Sequence, residues 1–215
     1  MLGHTPPSRG EFTREDNGPT LPGSPSLENQ PPDTDLHPVL YRLKWSILDE
    51  PSEIQFLEVG SEGEPQWLPL FGNSRASTTE AAATEPPVSH LQIRLDPMDT
   101  WEFWGDFLEK PSPLVIENGD GRHISITQFI HAVREYAVPL RNLLCRTSDI
   151  YGPANCARAR FYLHDISAGS DVTPERPYPE LYLNLAKHVD DEDDDDLADI
   201  WETIEIVYRN QLNSE

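Results

Sequence analysis

The stretch Ser125-Ile126-Thr127-Gln128-Phe129-Ile130-His131-Ala132-Val133-Arg134-Glu135-Tyr136-Ala137-Val138-Pro139-Leu140-Arg141-Asn142-Leu143-Leu144 decides how the rest of the chain is read. Ile126, Phe129, Ile130, Val133, Ala137, Leu140 and Leu144 recur at spacings of three and four, which puts them on one face of a helix. Ser125 with Gln128 has the form of a capping box, so the helix starts there and runs over 126–146. Pro139 lacks the amide hydrogen that the helix interior needs, and kinks or splits the helix at that point.

A helix with one apolar face needs an apolar surface to cover, and the flanking sequence supplies strands. Upstream, residues 39–48 alternate: Tyr41, Leu43, Trp45 and Ile47 fall on one face, with Arg42, Lys44 and Ser46 on the other. Leu91, Ile93 and Leu95 repeat the pattern against Gln92 and Arg94. Residues 54–59 read as a further strand. Residues 72–87, rich in Ser, Thr, Ala and Pro, read as a mobile connection. The aromatic residues of 100–108 suit a strand or an apolar loop on the sheet. Leu114-Val115-Ile116, the turn Asn118-Gly119-Asp120-Gly121 and His123-Ile124 read as a hairpin rather than a phosphate loop. Downstream, 157–165 and 180–186 alternate as strands. Leu197, Ile200, Trp201, Ile204, Val207, Tyr208 and Leu212 mark an amphipathic helix over 197–212.

The elements follow one another without regular strand–helix alternation. This predicts an α+β fold: a mainly antiparallel sheet, one face of which is covered by the long central helix and the C-terminal helix. Residues 1–36 hold seven prolines and four glycines with few apolar side chains, so they are expected to be disordered. The division is then a disordered tail over 1–36, a core over 37–189, and an acidic run with the C-terminal helix over 190–215.

The net charge is −22, unevenly spread: −4 over 1–36, −8 over 37–189 and −10 over 190–215. Such a field repels nucleic-acid phosphates and anionic lipid, and favours basic partners. The N-terminal residues show no signal-peptide core, and no apolar run approaches the ~20 residues a bilayer span needs, so an intracellular protein is expected, cytoplasm and nucleus undecided. In that setting Cys145 and Cys156, which fit no zinc spacing, are expected to be reduced thiols.

Leu36-His37-Pro38-Val39-Leu40, then Leu43-Lys44-Trp45-Ser46-Ile47, then Ala83-Thr84-Glu85-Pro86-Pro87-Val88 leading into Leu91–Leu95 resemble an uncharacterised domain family common in fungi. That family opens on Leu-His-Pro-x-Leu, carries an Ala-Thr-x-Pro-Pro segment, and enters a helix in a manner similar to Ile124–Ile130. The resemblance covers roughly 36–146. It implies no activity, cofactor or site residues, because the family has none assigned.

Candidate site residues come from charge and from one tryptophan. Asp190, Asp191, Glu192, Asp193, Asp194, Asp195 and Asp196 are seven consecutive acids. They lack the alternating ligands and turn glycine of a calcium loop. Two readings stay open: a contact for a basic protein partner, or a solvated linker that favours the start of the following helix through its dipole. Trp67, in Glu64-Pro65-Gln66-Trp67-Leu68-Pro69, is either an exposed partner anchor or a residue packed on the protein's own core.

Catalytic signals are weak. No two histidines stand four apart as a helical metal pair. His131 reads as a boundary residue of the long helix. His123, His164 and Asp165 are the polar residues an unrecognised enzyme site would draw on. Arg141, Arg146, Arg158 and Arg160 form a basic group that could face RNA, an acidic peptide or the protein's own acidic run. The sequence as a whole predicts a non-enzymatic interaction or regulatory protein without metal or cofactor, the alternative being an enzyme or small-ligand-binding protein.

Overall fold

The computed structural model describes residues 34–60, 64–72, 75–102, 109–169, 178–189 and 194–212, and of residues 194–196 the backbone alone. All belong to one compact unit, Pro32–Glu215. In chain order it comprises β1 (Asp35–Leu36), a 3-10 turn at Leu40–Arg42, β2 (Leu43–Lys44), a 3-10 turn at Pro51–Glu53, β3 (Gln55–Val59), β4 (Pro65–Pro69), α1 (Ala76–Thr79), β5 (Thr84–Glu85), β6 (His90–Leu95), α2 (Asp96–Asp99) and β7 (Leu114–Glu117). Then come α3 (Ile126–Ala137), a 3-10 turn at Val138–Leu140, α4 (Arg141–Thr147), α5 (Pro153–Arg158), β8 (Arg160–Ala168), β9 (Glu180–His188) and α6 (Asp194–Leu212). The fold is α+β, with most strand pairs antiparallel.

The central helix follows its sequence closely. Ser125 is the N-cap, its hydroxyl accepting from the Gln128 amide at 3.2 Å. The reciprocal half of the capping box is absent. The Gln128 side chain instead exchanges two hydrogen bonds with the Asn118 amide, tying the preceding turn to the helix. Pro139 falls within the 3-10 turn that separates α3 from α4, the split its missing donor demands. Ile126, Phe129, Ile130, Val133 and Ala137 are all buried.

They cover a four-stranded sheet of order β7-β6-β9-β8, in which β6 and β9 run parallel. Leu91, Ile93, Leu95, Leu181, Leu183 and Phe161 supply its core face. A three-stranded antiparallel sheet, β2-β3-β4, lies beside it. The segment Trp45–Ile47 stitches the two together: Ile47 donates to the Phe161 carbonyl at 2.9 Å, Leu163 to that of Trp45 at 3.0 Å, and Ser46 pairs with Tyr162.

Several sequence expectations are corrected. Residues 39–48 are not one strand. The chain makes a 3-10 turn, pairs briefly with β3, then moves to β8, although Leu43, Trp45 and Ile47 do share the buried side. Residues 72–87 are not merely a connection, because Ala83 and Thr84 are fully buried and Thr84–Glu85 pairs with β1, just before a cis Glu85–Pro86 bond. The expected hairpin at 114–124 does not form, since β7 pairs with β6 and the Asn118–Gly121 turn leads through Ile124, bonded to the Val88 carbonyl, into α3. Cys145 and Cys156 are joined by a disulfide: α5 folds back on α4 and brings their Cα atoms to 5.7 Å, within bridging range.

The two helices also differ in the face they contact. Phe129 of α3 meets Trp45 edge-on at 6.1 Å, whereas Trp201 of α6 meets Lys44 and Tyr162. Lys44 and Trp45, like Phe161 and Tyr162, are neighbours with opposed side chains. The sheet is therefore flanked by α3 on one side and α6 on the other, not covered twice on one face.

Candidate functional site

The two sequence-predicted features converge on α6, the helix that begins at Asp194. Asp190, Asp191, Glu192 and Asp193 lie outside the described residues. Asp194, Asp195 and Asp196 form the first turn, where anions meet the positive end of the helix dipole. Leu197 follows at once and is buried. The side chain next to the acidic run is thus fixed on the protein.

Trp67 of β4 is half-buried against that helix. Its Nε1 donates to Glu205 Oε1 at 2.6 Å, and its ring meets Trp201 edge-on at 6.0 Å. Tyr162 meets Trp201 at 5.4 Å. The ammonium of Lys44 lies 4.2 Å from the Trp67 ring centre and 5.5 Å from that of Trp201. Both separations are within cation–π range, and a desolvated ammonium gains most from such contacts. Burial pushes the Lys44 ammonium below its ordinary range, and the Glu205 carboxylate opposes that shift. The seam continues with Arg42 over Tyr208 at 4.5 Å and Arg209 within 3.8 Å of Glu64. Sequence reasoning could reach Trp67 and Trp201 one at a time. Nothing in their separation along the chain announces that their rings meet or that one lysine lies over both.

Two hollows adjoin the seam. One, of about 230 Å³, is lined by Lys44, Asp49, Glu53, Arg160, Tyr162 and Trp201 among others. Burial raises the Asp49 carboxyl above the usual carboxylate range, Arg160 at 3.3 Å pulling the other way. The second, of about 470 Å³, runs between α6 and the chain around β1. Its apolar lining includes Leu36, Pro38, Ile204 and Val207, and Asp35 and Glu85 bring carboxylates to it.

The remaining sequence candidates do not assemble. His123 lines a separate crevice with Glu80, Asp120 and Gln128, and its Nε2 lies 3.2 Å from the Glu80 carbonyl. His164 is the extra residue at a register shift in β8, and Asp165 accepts from Asn184 at 3.5 Å. His131 packs edge-on against Phe71 at 6.1 Å. The basic group is engaged internally. Arg141 donates to the carbonyls of Cys156, Ala157 and Ala159, Arg158 to Asn155, Arg160 pairs with Asp49, and Arg146 lies over Trp101.

Sequence reasoning missed the polar network of β6 and β9. Glu180 is 6% exposed and accepts from Arg94 Nε, from Gln92 at 2.8 Å and from Tyr182. Arg94 also reaches Asp99, which Lys110 holds at 2.5 Å. The parallel register sets Gln92 beside Glu180 and Arg94 beside Tyr182, which no pattern within either strand could indicate. Every charge in it has a partner, which makes it a brace for the sheet.

Among the described residues no group of three or more His, Cys, Asp or Glu side chains could hold a metal ion, and no helix is long and apolar enough to cross a membrane. No family model, curated protein or solved structure matches this chain.

Proposed function

We propose that this protein is a non-enzymatic interaction module whose acidic C-terminal segment contacts a basic protein partner. The observation that carries the reading is the pinned start of α6: Leu197, immediately after the acidic run, is buried, and Trp201 and Glu205 one and two turns further on are held by Lys44, Tyr162 and Trp67. The helix into which the acidic run leads is fixed on the protein, and a concentrated field of one sign speeds encounter with a partner of the other. Asp190 to Asp196 and the further acids Asp199, Glu202 and Glu205 supply that field, with Arg209 as the one base over 190–215.

The test is affinity capture from the native cell with two baits. One is the full chain, and the other carries Asn or Gln at all seven acids from Asp190 to Asp196. Basic proteins held by the first and lost from the second support the reading. An identical set on both baits removes the acidic run from it.

A second reading, small-ligand binding, is favoured by one observation. Lys44 and Asp49 line the same 230 Å³ hollow with their ionisation shifted by burial in opposite directions, as groups in functional clefts often are. A metabolite mixture that raises the melting temperature of the wild type but not of Asp49→Asn would favour it over the first.

A further inference from the structure

The groove beside α6 extends the proposed contact with a basic partner and depends on it. Leu36, Pro38, Ile204 and Val207 give it an apolar lining, completed by Tyr41 and Tyr208. Its volume of about 470 Å³ admits several side chains. Val207 is 50% exposed, although it lies on the side of the helix that turns toward the protein. Carboxylates outnumber cations two to one among the groove's lining residues. Asp35 and Glu85 line it, and the Arg42 guanidinium is drawn over the Tyr208 ring. The Glu85 side chain is 60% exposed.

Charge selects among the possible occupants. Residues 1–33 hold five acids and two bases, and a second copy of the chain brings a further net −22. Both meet like charge at an acidic groove. A cationic segment meets opposite charge there and along α6, whose sequence holds six acids and one base.

We infer that the groove between α6 and the Leu36–Arg42 segment is the apolar half of the partner site, and that it takes an amphipathic basic segment of another protein. An aliphatic side chain of that segment seats between Leu36, Pro38, Ile204 and Val207, while flanking Lys or Arg side chains face Asp35, Glu85 and the exposed acids of α6, Asp199 and Glu202. Apolar anchors give such an interface its grip, and charge gives it encounter rate and choice of partner.

Fluorescence anisotropy with two labelled 15-residue probes tests this on the full chain. One probe carries Leu at helical i, i+3, i+4, i+7 positions in a Lys background, and the other carries Ser at the same positions with equal charge. In salt near 0.15 M, where exposed charges are screened beyond ~8 Å, the Leu probe is expected to bind at least ~10-fold tighter, as one seated apolar anchor allows. Val207→Gln should remove most of that advantage and leave the Ser probe unchanged. Because Val207 is half-exposed and the Ser probe reports on the rest of the site, a misfolded variant reveals itself by losing both. In that case Glu85→Gln, which weakens both probes without touching the apolar lining, serves as the second variant and must keep the Leu preference.

Equal affinity of the two probes, or a Leu preference that survives Val207→Gln, overturns the groove as the apolar half-site. The wider reading still stands if neutralising Asp190 to Asp196 weakens both probes. If that neutralisation changes neither, the wider reading falls. Concentration-dependent dimerisation abolished by Val207→Gln assigns the groove to a second copy. A gain in Leu-probe affinity on replacing Leu21 and Leu27 by Ser assigns it to the protein's own N-terminal segment. Either result overturns the inference.

Discussion

Phe129 and Trp201 are both aromatic residues in the middle of an amphipathic helix, yet the two helices are held in different ways. Phe129 is fully buried, and four other residues of α3 are buried with it. Trp201 is half-buried, and Leu197 is the one buried side chain among those described in α6. Around Trp201 stand an ammonium and two aromatic rings, those of Trp67 and Tyr162, and the Glu205 carboxylate one turn on accepts from Trp67 Nε1. Area removed from water is non-directional and adds up over a whole face, so α3 belongs to the body of the fold. Cation–π contacts and exposed ion pairs are directional and individually small, so the seam sets where α6 lies while contributing little to global stability.

The largest effect should come from the core. Phe129→Ala is expected to lower unfolding free energy by about 3–5 kcal/mol, as truncation of a buried aromatic does, measured by urea denaturation. A loss below about 1 kcal/mol would mean that α3 is no more central than α6.

Trp201→Ala should cost about 1–2 kcal/mol, because the side chain is half-buried and forfeits two aromatic edges. Its signature is local. Amide exchange over 197–212 should quicken while that over 126–137 stays as it was. Equal acceleration in both helices would show that the seam and the core unfold as one unit.

A smaller effect tests whether α3 depends on its local sequence signal as well as on burial. Ser125→Ala removes the cap that accepts from the Gln128 amide and should cost about 1 kcal/mol. The same denaturation measurement checks it, and no change would assign α3 to tertiary burial alone.

The smallest effect is a pH dependence. The folded-state pKa of Lys44 is lowered by burial, so between that value and the ordinary lysine value the folded protein binds fewer protons than the unfolded chain. Unfolding free energy then rises with pH in that window. The stability of wild type relative to Lys44→Gln should therefore improve as pH climbs through alkaline values towards 10.5, the ordinary lysine value. A difference that stays flat or falls would place the ammonium in water rather than over the Trp67 and Trp201 rings.

What was legible in the sequence divides along the same line. The face of α3, its cap and its break at Pro139 follow from spacing and from the missing proline donor, which act within a few residues. The buried alternation of Leu91, Ile93 and Leu95 was readable for the same reason, and so was α6 as an amphipathic helix. The 39–48 segment was half-readable: its buried residues were identified, but not that it leaves β3 for β8 partway along. The candidate site was less legible still. Trp67 and the acidic run were visible as unusual residues, but their connection through α6 was not, because Trp67 and Glu205 are 138 positions apart.

By itself the sequence determined which side chains turn inward, where the long helix starts and breaks, and that the C-terminal end is strongly anionic. These are consequences of backbone periodicity, proline chemistry and formal charge. The tertiary structure alone decided the parallel pairing of β6 with β9, the meeting of Cys145 with Cys156, the placing of α6 across the sheet from α3, and the seating of Lys44 over two tryptophan rings. Each of these joins separate elements, and their pairing follows from how the apolar faces pack around a shared core.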